Sequence, residues 1–296
     1  MTMGKRIFLF LLTNLAVMFV LSIVLSLLGV GSYVGSDGQL QLGALMVFCL
    51  VWGMGGAFIS LQMSRWLAKR AMGVQLLDGR SGNEALDWLH TTISQQAQQA
   101  NLPVPEIGVY ESDEVNAFAT GPSKKRSLVA VSTGLLRSME RREVAAVTGH
   151  EVGHIANGDM VTMTLIQGVI NAFVMFFARI IAFVVSSFVH EKVSWLVSFV
   201  VRIILEILLG ILGSLVTAWF SRKREFRADA AGASLAGREN MVAALRRLAA
   251  NAERIDTSHA ALATMKISGK KGWMQAFSTH PPIEERIAAL QTAQLV

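Results

Sequence analysis

Between Arg6 and Arg65 the chain carries a single charged residue, Asp37. Two apolar runs fill that interval, about residues 7–30 and 42–63, and two more follow at about 163–189 and 194–220. Each is long enough to cross roughly 30 Å of hydrocarbon as a helix, the form in which a segment satisfies its own backbone hydrogen bonds. The 296 residues are 52% apolar and only 16% charged, a balance that a soluble domain of this size seldom shows. The first run is long for a signal peptide and lacks a small-x-small cleavage site, so it reads as an uncleaved anchor. Cys49, the one cysteine, lies in the second run, which excludes an intrachain disulfide and a cysteine-based metal site.

Charge fixes an orientation. Lys5 and Arg6 precede the first run, Arg65, Lys69 and Arg70 follow the second, and Arg222, Lys223, Arg224 and Arg227 follow the fourth. The loop between the first two runs has no Lys or Arg, and the loop between the last two has only Lys192. The positive-inside rule then puts both termini and both polar segments in the cytosol. It also accounts for the net charge of +6 without nucleic acid as a partner. Arg179, Arg202 and Glu206 lie inside the last two runs, where an isolated charge costs at least ~2.5 kcal/mol. Glu206 is therefore expected to pair with Arg202, Arg179 or both.

The chemistry sits in the polar segments. His150-Glu151-Val152-Gly153-His154 places two imidazoles four residues apart, on one face of a helix, where both reach a single Zn²⁺. Glu151 stands beside them to take a proton from water. The lead-in Glu143 to Val147 supports the helix, and Asn157-Gly158 supplies its stop. Beyond the last apolar run, Glu225 and Asp229 are again four apart. Glu225 is expected as third zinc ligand and Asp229 as acceptor for a histidine N–H. The hydrophobic hairpin between them returns the chain to the side it left, so all three ligands can meet at the membrane edge.

The remaining elements are read more simply. Ser81 to Glu84 has a capping-box pattern and opens a helix with a buried face, ended by Pro103 and Pro105. Strands are expected at 106–110, 115–120 and 127–132, with a turn over 121–126. Their edge either holds an extended peptide or is a purely structural hairpin. Asp159 is expected to cap the next helix, residues 239–252 form an amphipathic helix, and 268–272 a loop. His280-Pro281-Pro282 opens the last helix, and His280 and Arg286 read more readily as surface than as site.

HEVGH, EFRAD beyond an apolar hairpin, and THPPIEER near the C-terminus resemble the HtpX family of bacterial membrane zinc proteases, distant relatives of the CAAX prenyl proteases. The resemblance extends to FLLTNLAVMFV, VNAFATG, LVAVSTGLL and NGDMVTMTLIQG, nearly end to end. It implies a gluzincin endopeptidase of the inner membrane, multi-pass, with one Zn²⁺ per chain. Its implied role is stress-linked quality control, cutting misfolded or unfolded membrane proteins on the cytosolic side. His150, His154 and Glu225 carry over as ligands and Glu151 as base. Asn116, Ala117 and Phe118 fall in the segment implied to bind substrate as an edge strand, and His280 and Arg286 near the scissile carbonyl.

The expected fold is thus a mainly α membrane protein with a small β-sheet, four transmembrane helices and a cytosolic zincin-like metalloprotease domain. Residues 1–64 form a two-helix anchor, 65–160 the first cytosolic part, 161–220 the second hairpin and 221–296 the second cytosolic part. Rival readings are an intramembrane protease, a metal transporter, a narrow-specificity processing peptidase and a non-catalytic zinc-stabilised scaffold. Polar flanks around HEVGH count against the first, spans without histidine against the second, and an intact Glu151 against the last.

Overall fold

The computed structural model describes residues 15, 17–30, 32–36, 38–258 and 278–292, without the side chains of 252–258. Lys5, Arg6, Asp37, the start of the first apolar run and the loop at 268–272 lie outside the described residues. The chain is mainly helical with one small sheet, and it divides into two compact units: residues 1–61 with 162–217, and residues 62–161 with 218–296.

The first unit is built from apolar helices. Among the described residues three are long and apolar enough to cross a membrane: α2 (Leu42–Met72), α6 (Asp159–Ser186) and α7 (Glu191–Ala236), with mean hydropathy of 2.1, 2.2 and 2.4 in their most apolar windows. The first expected span contributes the shorter apolar helix α1 (Val17–Leu27) to the described residues. Small residues such as Ala172, Ala178 and Ala182 are buried between helices, whereas Phe173, Phe177, Ile207 and Leu212 face outward. Without a hydrophobic gain between helices in lipid, close contact of small side chains is what holds such a bundle. Of the two arginines available to Glu206, Arg179 takes it, Nη1 to Oε1 at 3.0 Å, with the Arg179 guanidinium 5.2 Å from the centre of the Phe48 ring. Arg202 lies over Phe199 instead.

The second unit holds the sheet. Its strands are β1 (Gln75–Leu76), β2 (Glu106–Tyr110), β3 (Ala117–Ser123) and β4 (Arg126–Ser132), in spatial order β1-β2-β4-β3. β2 and β4 are parallel and the outer pairs antiparallel, so β3 is an edge. β3 runs further than the sequence pattern suggests, and the turn shrinks to Lys124-Lys125. Gly121, at φ +141, carries the strand through a register shift between Thr120 and Ser123, and Pro122 is tolerated because an edge needs no N–H there.

Around the sheet stand α3 (Glu84–Gln99), α4 (Thr133–Ser138), α5 (Arg141–Asn157), α8 (Arg238–Ser258) and α9 (Ile283–Thr292). The cap of α3 is Asn83, whose side chain accepts from Ala85 N and Leu86 N. Ser81 lies outside the helix and donates instead to Asp87, so the expected capping box does not form. One core unites Leu89 and Ile93 of α3, Val129 and Val131 of β4, Val144 and Val152 of α5, Leu245 of α8 and Leu290 of α9. It fixes α5 between α3, α8 and the sheet.

Candidate metal centre

α5 is defined at both ends. Glu140 N–H donates to Glu143 Oε2 at 3.0 Å in a reciprocal capping box. Gly158 closes the helix at φ +69, a left-handed position that costs glycine nothing. One turn before that cap, His150 and His154 share a buried face, their rings edge-on with centroids 4.6 Å apart. α7 brings Glu225, which is fully buried. Its Oε2 lies 3.5 Å from His150 Nε2 and its Oε1 3.4 Å from His154 Nε2. One ligand atom from each of the three residues lies within 4.8 Å of the others.

Each imidazole has a carboxylate behind it. Asp229 Oδ1 is 2.9 Å from His150 Nδ1, and Asp159 Oδ2 is 2.8 Å from His154 Nδ1. A carboxylate only accepts here, so Nδ1 carries the proton in both rings, which leaves Nε2, the atom facing Glu225, as the one that could ligate a metal. Asp229 stands one helical turn beyond Glu225 on α7, with its carboxylate on His150. Asp159 was expected to cap α6. It is the first residue of that helix, but it is 1% exposed and spends Oδ2 on His154, while Oδ1 lies 3.5 Å from Arg227 Nη2.

The C-terminal pair reaches the same centre. Arg286 donates twice to Asp229, Nε to Oδ2 at 2.7 Å and Nη2 to Oδ1 at 2.6 Å. His280 Nδ1 donates to Glu225 Oε2 at 2.7 Å. The unaided reading of these two as surface residues holds only for exposure at His280; Arg286 is buried. The Glu151 side chain has no hydrogen bond or ion pair among the described residues and is part-exposed beside the two histidines.

The electrostatics ask for a cation. Burial pushes the Glu225 carboxyl up, but the His150, His154 and His280 imidazoles set against it outweigh burial and hold it far below the usual range. Asp229 is likewise held low: burial opposes ionisation, and Arg286 and then His150 overcome it. Burial pulls His150 down, yet Asp229 and Glu225 lift it to about 9. Protons thus collect on the ring nitrogens where no other positive charge is present, and Glu225 Oε1 is buried with no hydrogen-bond partner. Two neutral imidazoles and a carboxylate aimed at one point suit a divalent cation of nitrogen and oxygen preference.

The expected substrate residues lie at the start of β3, which packs against α5. Asn116 is exposed just ahead of the strand; Ala117 packs on the α5 side of the sheet and Phe118 on the other, against Tyr110. Ser132 N–H donates to Asn116 O at 2.9 Å and Asn116 N–H to Ser132 Oγ at 3.1 Å. Antiparallel pairs alternate, so the next pair, Ala117 and Val131, turns its polar groups outward, and Ala119 does the same.

Comparison with known proteins agrees with this geometry. The chain is 52% identical over 294 residues to Protease HtpX of Aeromonas hydrophila, covering 97% of this chain and 99% of that one. It is 51% identical over 298 residues to Protease HtpX homolog of Bacillus pumilus, covering 98% and 99%. Among solved structures, S. mikatae Ste24p has the same fold, with a TM-score of 0.61 at 19% identity over 97% of this chain and 66% of that one. The model of peptidase family M48 matches residues 84–294. The chain belongs to peptidase family M48 and is a membrane metalloprotease.

Proposed function

We propose that the chain is a zinc-dependent endopeptidase of a bacterial inner membrane that cleaves misfolded or damaged membrane proteins on the cytosolic side. The convergence of His150, His154 and Glu225, with Glu151 uncommitted beside them, carries this reading. The bases that follow α2 and the apolar part of α7 support the cytosolic assignment.

His150 and His154 through Nε2, and Glu225 through its carboxylate, would hold the metal. When bound, zinc supplies Lewis acidity toward the scissile carbonyl and toward water. Asp229 and Asp159 keep the proton on Nδ1 of each histidine, so the ligand tautomer is fixed before any metal arrives. Substrate lies along β3 as an added antiparallel strand, bonded to the outward N–H and C=O groups of Ala117 and Ala119. Glu151 takes a proton from the attacking water and returns it to the leaving amine. His280, whose Nδ1 is anchored on Glu225, offers Nε2–H to the developing oxyanion when doubly protonated. Arg286 is a positioning residue: both its short hydrogen bonds go to Asp229.

The test is cleavage of an unfolded membrane protein by the purified full chain, with zinc stripped by a chelator and restored. Activity lost and regained with zinc is the expected result. Full zinc occupancy with no cleavage of any polypeptide would return the scaffold reading.

A further inference from the structure

α2 carries Lys69 and Arg70 in its last turn. Gly73, at φ +66, then turns the chain out of the helix into Val74 and β1. The turn opens a cavity of about 550 Å³ lined by Trp66, Lys69, Arg70, Gly73, Val74 and Leu76, none of them a residue of the metal centre.

Its charge is unbalanced. Glu106 answers Arg65 at 3.0 Å and Lys69 at 2.9 Å, so three bases face one acid. Arg70 is exposed and has neither an ion pair nor a hydrogen bond among the described residues. Beside these bases the wall is apolar and open: Trp66 is 45% exposed and Leu76 51%. A free phosphate leaves such a wall in water. A phospholipid uses both halves, the phosphate on Arg70 and Lys69 and the glycerol ester with its first methylenes on Trp66 and Leu76. The excess of positive charge disfavours a headgroup that brings its own cation.

We propose that this cavity is a binding site for the headgroup of an anionic phospholipid. It lies at the end of a helix apolar enough to span the bilayer, where headgroups are found. The site gives the membrane protease a lipid contact of defined chemistry on the segment that leads into the sheet.

The full chain in detergent, titrated with phosphatidylglycerol and with phosphatidylcholine of the same acyl chains and followed by native mass spectrometry, tests it. Wild type should retain phosphatidylglycerol preferentially. Arg70→Gln should cut that retention about fivefold, the loss of one base facing an anionic headgroup. Arg70→Lys should restore most of it, and Arg246→Gln, at an exposed arginine on α8, should leave it unchanged. Equal retention of the two lipids, or an Arg70→Gln chain that holds phosphatidylglycerol as wild type does, overturns the site. Displacement of the lipid by an equal concentration of glycerol 1-phosphate overturns the lipid assignment in favour of a free-phosphate site.

Discussion

Arg286 and Asp229 are joined by two parallel hydrogen bonds of 2.7 and 2.6 Å, and the same Asp229 carboxylate bonds His150 Nδ1 at 2.9 Å. Position 286 therefore acts on the metal through two intermediaries. Arg286→Gln is expected to weaken metal affinity by about 10–100-fold, the usual cost of disturbing a partner behind a ligand. A donor to the oxyanion would instead lower kcat by about 10²–10³ with the metal retained. Competition with a chromogenic chelator separates the two, provided kcat is read at saturating zinc.

Asp159→Asn should behave like Asp229→Asn. The amide keeps the shape at His154 but no longer favours the Nδ1–H tautomer, and affinity should fall by about 10–100-fold. Metal content after dialysis against graded chelator gives the number. A wild-type value would leave Asp159 with helix capping alone.

Glu151→Gln should keep the metal and lose cleavage. The three ligands survive, and the missing proton acceptor is worth about 10²–10⁴ in rate. Zinc content and turnover are measured on the same sample; normal turnover at full zinc removes Glu151 from the mechanism.

The outward-facing groups of β3 repeat every second residue, and substrate should show the same period. Peptides N-methylated at successive backbone positions should lose kcat/KM at alternate positions, by roughly three- to tenfold for each hydrogen bond removed. Sensitivity spread evenly along the peptide would sink the added-strand model.

In the apolar unit, Arg179 and Glu206 should be coupled and Arg202 should not. Double-mutant cycles to Gln, read by unfolding in mixed detergent, are expected to give about 0.5–3 kcal/mol between 179 and 206. The cycle between 202 and 206 should be additive, since Arg202 rests on Phe199. Additivity in both cycles would mean the 3.0 Å contact contributes nothing to stability.

The candidate ligands were legible because each is local: four-residue spacing puts His150 with His154, and Glu225 with Asp229, on single helix faces. The edge strand was legible from its β-prone run, although not its end, since Pro122 reads as a breaker unless the strand is known to be an edge. Asp159 could not be assigned from sequence. It faces His154 only because Gly158 reverses the backbone between them, and an acid after a helix stop looks the same when it merely caps. The target of Arg286 was hidden for a different reason: the contact to Asp229 is set by how α9 meets α8 and the core, which no short motif encodes.

Gly153 lies inside α5, where glycine costs about 1 kcal/mol against alanine. A Cβ there would stand 2.7 Å from Ala231 Cβ, and one at Gly232 would stand 3.0 Å from His150 N. With Gly149, these positions set how closely α5 and α7 approach, and hence the bite of a ligand set drawn from both helices. Zinc bonds to nitrogen and oxygen are about 2.0–2.2 Å, those of calcium to oxygen about 2.3–2.6 Å, so a few tenths of an ångström separate one ion from another. The spacing that a bound ion would meet is thus set partly by residues with no side chain at all.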